Sequence, residues 1–237
     1  MRELEIEVGK FREPANPALS VMIREVFMVL NTGGAVVGFR GSGKSLLAGL
    51  AAVAGTAAWR ASVVIDVGRL LQANGRVELA ELAPSCGELA QLAEGPLGEW
   101  ARARLRLGEA RGPRRMDCSM WVYVEGAGLA EKLRSVARQL ARADVVPILD
   151  GFEPIVANPA QYGYTIPRLR EELYEMVARP AMLVGLALPI ELWLAFDVHL
   201  KSYIVPVHAI RYTPQQMLDF LKRLSGRDPG ALASVKF

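Results

Sequence analysis

Gly38-Phe39-Arg40-Gly41-Ser42-Gly43-Lys44-Ser45 is the stretch on which the fold turns. It matches in full the pattern of a glycine, four free positions, and then glycine, lysine and a hydroxyl residue. Glycines in such a loop let backbone N–H groups curl around a phosphate chain, and the helix N-terminus behind them adds a favourable dipole. Upstream, Ala35-Val36-Val37 reads as a short buried strand entering the loop. Downstream, Ser45-Leu46-Leu47-Ala48-Gly49-Leu50-Ala51-Ala52-Val53-Ala54 reads as an apolar helix leaving it. In that register Gly38, Phe39, Arg40, Gly41, Ser42, Gly43, Lys44, Ser45 and Leu46 surround a triphosphate. Lys44 reaches the β- and γ-phosphates, and the Ser45 hydroxyl takes Mg²⁺. A ligand-free glycine turn before a helix is the bland alternative, and the flanking strand and helix argue against it. The expected ligands are ATP and Mg²⁺.

Magnesium bridging phosphates needs an aspartate from a neighbouring strand end. Val145-Val146-Pro147-Ile148-Leu149-Asp150 offers one: an apolar strand ends in Asp150, and the polar loop Gly151-Phe152-Glu153 follows. Asp66, closing Ala61-Ser62-Val63-Val64-Ile65-Asp66, is the rival. The acidic loop after Asp150 favours Asp150 as metal ligand beside Ser45.

Around this centre, strands and helices alternate. A polar segment over residues 1–17 precedes an amphipathic helix over 18–30. Residues 70–107 are helix-prone but broken by Pro84-Ser85-Cys86-Gly87 and Gly95-Pro96, which predicts two helices. Trp121 to Val124 reads as a short strand, residues 129–143 as a strongly periodic helix, and 167–178 as another helix. Then come a strand over 181–186, a helix over 190–200, a strand over 203–207, and a helix over 214–224 capped by Thr213. The expectation is an α/β P-loop NTPase with a mostly parallel sheet covered by helices on both faces. Its core spans 18–212, and residues 213–237 read as the start of a truncated, rudimentary lid.

Composition narrows the class further. Apolar residues make up 51% and charged residues 22%, which is ordinary for a globular chain, and the net charge of +3 does not by itself argue for nucleic acid. Cys86 and Cys118 lie far apart with no CxxC spacing, so small apolar filling is their expected role. The apolar run over 181–198 is interrupted by Pro189 and Glu191, against a membrane span. A charged N-terminus shows no signal peptide, so a soluble, cytoplasmic protein is expected.

The order of elements resembles an AAA+ type ATPase core, in particular the archaeal ATPases and origin-recognition initiators, with a second likeness to the STAND signalling NTPases. GFRGSGKS corresponds to Walker A and ILDGFE to Walker B. Phe196 to Ile204, then Ile210 to Met217, is similar to the end of that core, where the family carries a trans-acting basic residue, a last strand and a first lid helix. The resemblance implies a role for Lys201 in place of the family's arginine finger, although it lacks the bidentate fork of Arg. It also implies homo-oligomers. The departures are specific. Gly151 stands where the family has its water-polarising glutamate, so the resemblance leaves Glu153 as candidate base, reaching the site only if the loop folds back. Leu186-Ala187-Leu188 stands where a polar sensor is expected.

Residues 102–115 hold six arginines and one acid. Contact with a nucleic-acid or protein partner is one reading; a solvated face is the favoured one. Trp193 and Phe196 are expected in the core, and Tyr162 and Tyr164 as loop anchors. The functional expectation is an ATP-binding protein that couples nucleotide state to a partner or nucleic acid and hydrolyses slowly. The alternative is a non-hydrolysing STAND-like switch or scaffold.

Overall fold

A computed structural model describes residues 17–105, 115–177 and 183–208. Helix α1 (Pro17–Asn31) leads into β1 (Ala35–Gly38), and α2 (Lys44–Ala58) follows the glycine-rich loop. Next come β2 (Ala61–Asp66), α3 (Val67–Gln72), β3 (Gly75–Glu78), and the helices α4 (Leu79–Leu82), α5 (Cys86–Glu94) and α6 (Pro96–Leu105). They are followed by β4 (Trp121–Val124), α7 (Leu129–Arg142) and β5 (Val145–Asp150). The remainder is α8 (Glu153–Ala157), a 3-10 turn (Pro159–Tyr162), α9 (Ile166–Val177), β6 (Gly185–Pro189), α10 (Ile190–Leu194), α11 (Val198–Ser202) and β7 (Pro206–His208).

Five strands form one parallel sheet in the order β2-β5-β6-β1-β7. Side chains alternate across it, as strand geometry requires. Val36, Ile148 and Ala187 join a core with α1, α2, α5 and α6. Ala35, Val37, Ile65, Leu149, Leu186 and Leu188 face the other way, into a core with α3, α7 and α9. With both faces covered, the strands read as nearly continuous apolar runs. Thirteen of the fifteen residues of α2 are buried, because it lies between the sheet and a second helical layer. On α7, by contrast, Leu129, Leu133, Val136 and Leu140 form one buried stripe, the spacing that made this helix readable.

Parallel strands bring their carboxyl ends to one edge. The glycine-rich loop leaves β1 there, and Asp66 and Asp150 are register partners at the ends of β2 and β5. Chain order reverses beside β1, since β6 and β7 pair with its two sides. Ligands of open α/β sheets bind outside the carboxyl ends at such a reversal.

Several expectations need correction. Residues 70–107 contain a strand as well as helices: β3 pairs antiparallel with β4 in a separate two-stranded ribbon, so Trp121 to Val124 is a strand outside the main sheet. Cys86 and Cys118 are disulfide-bonded, with Cα atoms 5.8 Å apart, not separate apolar fillers. Sequence distance misled here because the ribbon folds back onto the start of α5. The expected helix over 190–200 is two short ones, broken where Asp197 caps α11 by accepting from Leu200 N–H. Strand β6 lies a few residues later than expected and ends in Pro189, where a missing N–H costs least. The polar N-terminal segment, most of the arginine-rich stretch and the lid with its Thr213 cap lie outside the described residues. Within them, no helix is long and apolar enough to cross a membrane.

Candidate phosphate-loop site

Strand β1 stops at Gly38, and the chain turns through Gly41 and Gly43, with φ of 78° and 85°. Both are left-handed conformations that glycine adopts without strain. A Cβ built at either position would meet nothing within 4 Å, so the space beside both glycines is open. Ser42 N–H donates to Phe39 O at 3.1 Å and Leu47 N–H to Gly43 O at 2.9 Å, which closes the turn onto the helix. No side chain caps the first turn of α2. Its uncapped amides and dipole face the loop, the arrangement that suits an anion. Phe39 and Arg40 are exposed on the outer side, and Leu46 packs partly against the helical core.

Lys44 is 3% exposed, yet charged, and two acceptors hold it. Its Nζ donates to Phe39 O at 2.9 Å and lies 2.7 Å from Glu153 Oε1. Glu153 arrives there because Gly151, at φ 85°, turns the chain directly after Asp150. Phe152 is thereby driven into the core, and α8 begins with Glu153 facing Lys44. A Cβ at Gly151 would sit 3.0 Å from Asp66 Oδ2, a tight contact that adds to the preference for glycine set by the positive φ. The fold-back that the sequence left conditional is present.

Asp150 sits beside them. Burial pushes its carboxyl above the usual carboxylate range, and the Glu153 charge adds to this; the Ser45 hydroxyl, the Gly151 amide and the Lys44 charge pull the other way. Its Oδ1 is buried without a hydrogen-bond partner among the described residues, as is Ser42 Oγ in the loop. A buried carboxylate oxygen left unmatched next to a serine hydroxyl suits a hard cation with oxygen ligands. Magnesium held by one carboxylate, one hydroxyl and phosphate oxygens needs no larger cage. Indeed, among the described residues no cluster of three or more His, Cys, Asp or Glu could hold a metal alone.

Asp66 does different work. Its carboxylate caps α3, accepting from Arg69 N–H at 2.8 Å. Lys201 lies over an aromatic ring, its Nζ 5.6 Å from the centroid of Trp193. Trp193 and Phe196 are buried together edge to face at 5.8 Å, as a core pair. Tyr164 anchors its loop, its hydroxyl accepting from Leu129 N–H at 2.6 Å and donating to Glu172 at 2.8 Å. Arg102, the first of the arginine-rich stretch, is tied to Ala57 O at 3.3 Å. A cleft of about 330 Å³ edged by Arg60, Arg138, Arg142 and Asp144 opens where β5 begins, at the opposite edge of the sheet. The sequence carried no signal for the Phe39 carbonyl as a Lys44 partner, since a backbone acceptor leaves no residue preference. The Asp150-Gly151 pair did mark the turn.

Comparison with protein-family models and with curated proteins finds no match to this chain.

Proposed function

We propose that the protein binds ATP–Mg²⁺ at the phosphate loop and hydrolyses it slowly, using nucleotide state to control a partner. The carrying observation is the meeting of Lys44, Ser45, Asp150 and Glu153 at one sheet edge, beside an open glycine loop. The strand order supports the same reading. In the two common doubly wound orders β1 and β2 are neighbours, whereas here two strands separate them and set Asp150 near the loop. This order agrees with the AAA+ resemblance of the motifs.

In this reading the loop amides and the α2 N-terminus hold the β- and γ-phosphates. The Lys44 ammonium exchanges Glu153 for phosphate oxygens. Ser45 and Asp150 hold Mg²⁺, which when bound supplies neutralisation of phosphate charge. Glu153, released from Lys44, accepts a proton from the water that attacks the terminal phosphorus as the bond to the leaving diphosphate breaks. A non-hydrolysing, STAND-like switch is the second reading. It is favoured by the apolar end of β6, Leu188-Pro189, where no polar side chain is offered to the phosphates.

Removal of Lys44 tests the binding claim. Lys44→Ala is expected to abolish ATP–Mg²⁺ binding by calorimetry; unchanged affinity overturns the assignment. Phosphate release that is lost in Asp150→Asn supports the hydrolase, and none in the wild type supports the switch.

A further inference from the structure

At the edge of the sheet away from the glycine loop, α7 ends and β5 begins, and a cleft of about 330 Å³ opens where they join. That volume is at the lower end of small-molecule pockets. Ala137, Ala141, Val145, Val146, Pro147 and Leu183 give it an apolar lining, and Arg60, Arg138, Arg142 and Asp144 give it charge. Three arginines against one acid leave an excess of two positive charges, and all four are described residues.

The acid is already matched. Asp144 Oδ1 lies 3.2 Å from Arg60 Nε, and the Arg60 guanidinium stands 4.9 Å from the ring centroid of Trp59. Asp144 holds φ 58°, the sole non-glycine residue in the left-handed region among the described residues. Its N–H donates to Ala141 O at 3.1 Å, which closes the end of α7. Glycine is the usual residue at such a helix end, and the negative end of the dipole disfavours a carboxylate there. The contact with Arg60 compensates, and it fixes one rim of the cleft.

Arg138 and Arg142 are held differently. They lie four positions apart on α7, so they share a face, and both are exposed. Among the described residues neither makes an ion pair or a side-chain hydrogen bond, whereas Arg134, one turn earlier, is paired with Glu175 at 3.5 Å. Like charges at this spacing repel and destabilise a helix. The dipole accounts for Arg142, which is in the last turn, but its effect fades before Arg138. An anion held by both would remove the repulsion.

We propose that this cleft binds a small phosphate monoester, with its phosphate on Arg138 and Arg142 and its apolar body on the lining from β5 and Leu183. The guanidinium forks select the headgroup. A carboxylate has two oxygens, and a single fork occupies both. A phosphate monoester has three strong acceptor oxygens and a charge of about −1.5 to −2 at pH 7, which suits two forks and an excess of two charges. The site goes beyond the nucleotide reading above and does not rest on it, since the glycine loop lies at the other edge of the sheet.

The experiment is calorimetric titration of the intact protein with phenyl phosphate at low salt, with benzoate and inorganic phosphate for comparison. Phenyl phosphate is expected to bind tenfold or more tightly than benzoate, which has the same ring, and severalfold more tightly than inorganic phosphate. Arg138→Gln with Arg142→Gln should lose tenfold or more in affinity for phenyl phosphate. Its melting should be unchanged, since neither side chain has an ion pair to lose among the described residues. No binding by the wild type overturns the proposal. So does full binding by the double variant, which places the anion elsewhere, the glycine loop included. Benzoate binding as tightly as phenyl phosphate overturns the choice of phosphate, and inorganic phosphate doing so overturns the apolar half of the site.

Discussion

Lys44 and Glu153 are each other's nearest opposite charges, and this makes Glu153 a competitor for the phosphate. Exchanging it for a neutral amide removes the competitor while leaving the shape. Glu153→Gln is therefore expected to tighten ATP–Mg²⁺ binding severalfold by calorimetry while abolishing phosphate release; weaker binding would show that Glu153 helps hold the ligand. Asp150 carries the opposite lesson, because its site suits a cation better than it suits the bare carboxylate. Its folded-state pKa lies above the ordinary Asp value, so the folded form holds the proton more tightly than the unfolded chain does. The stability this gives is complete below about pH 4, the unfolded Asp range, and is lost as pH rises through the raised value. Asp150→Asn is thus expected to raise the metal-free melting temperature at pH 7 by about 2–4 °C, for about 1 kcal/mol recovered, and to raise it not at all near pH 3.5. Thermal melts at the two pH values check the sign.

Among the elements, the disulfide closes a loop of 32 residues that ties the ribbon to α5. Chain-entropy arguments assign such a link about 4 kcal/mol. Reduction, or Cys86→Ser with Cys118→Ser, is expected to lower the melting temperature by about 8–16 °C. A melt unmoved by reductant would mean the bridge adds nothing to folding. The sequence was most readable where one period dominates, as on α7 with its Leu129–Leu133–Val136–Leu140 stripe, and at β5, an apolar run ending in an acid. It failed at β3, where Gly75-Arg76-Val77-Glu78 is too short and too polar to separate from the helices around it. It failed also at Cys86 and Cys118, whose meeting depends on that unseen strand. The strand–glycine loop–helix unit was legible because its pattern is local, whereas the Lys44–Glu153 pair depends on two loops of distant strands meeting.

Across the whole molecule, the segment that follows Asp150 and the β3–β4 ribbon both meet α7. The segment after Asp150 runs through α8 to Tyr164, which bonds Leu129 N–H, while Glu172 of α9 accepts from Ala130 N–H at 3.1 Å. These groups cap the first turn of α7, and Ser135 and Gln139 farther along the same helix hold β4. A ligand that draws Glu153 away from Lys44 acts on the segment whose far end caps that helix. The most direct measurement is a crystal structure with Mg²⁺ and a non-hydrolysable ATP analogue. Lys44 Nζ should lie on the β- and γ-phosphates, Ser45 and Asp150 at the metal, and Glu153 apart from Lys44. A nucleotide bound elsewhere, or a Lys44–Glu153 pair still closed at 2.7 Å beneath it, contradicts the assignment.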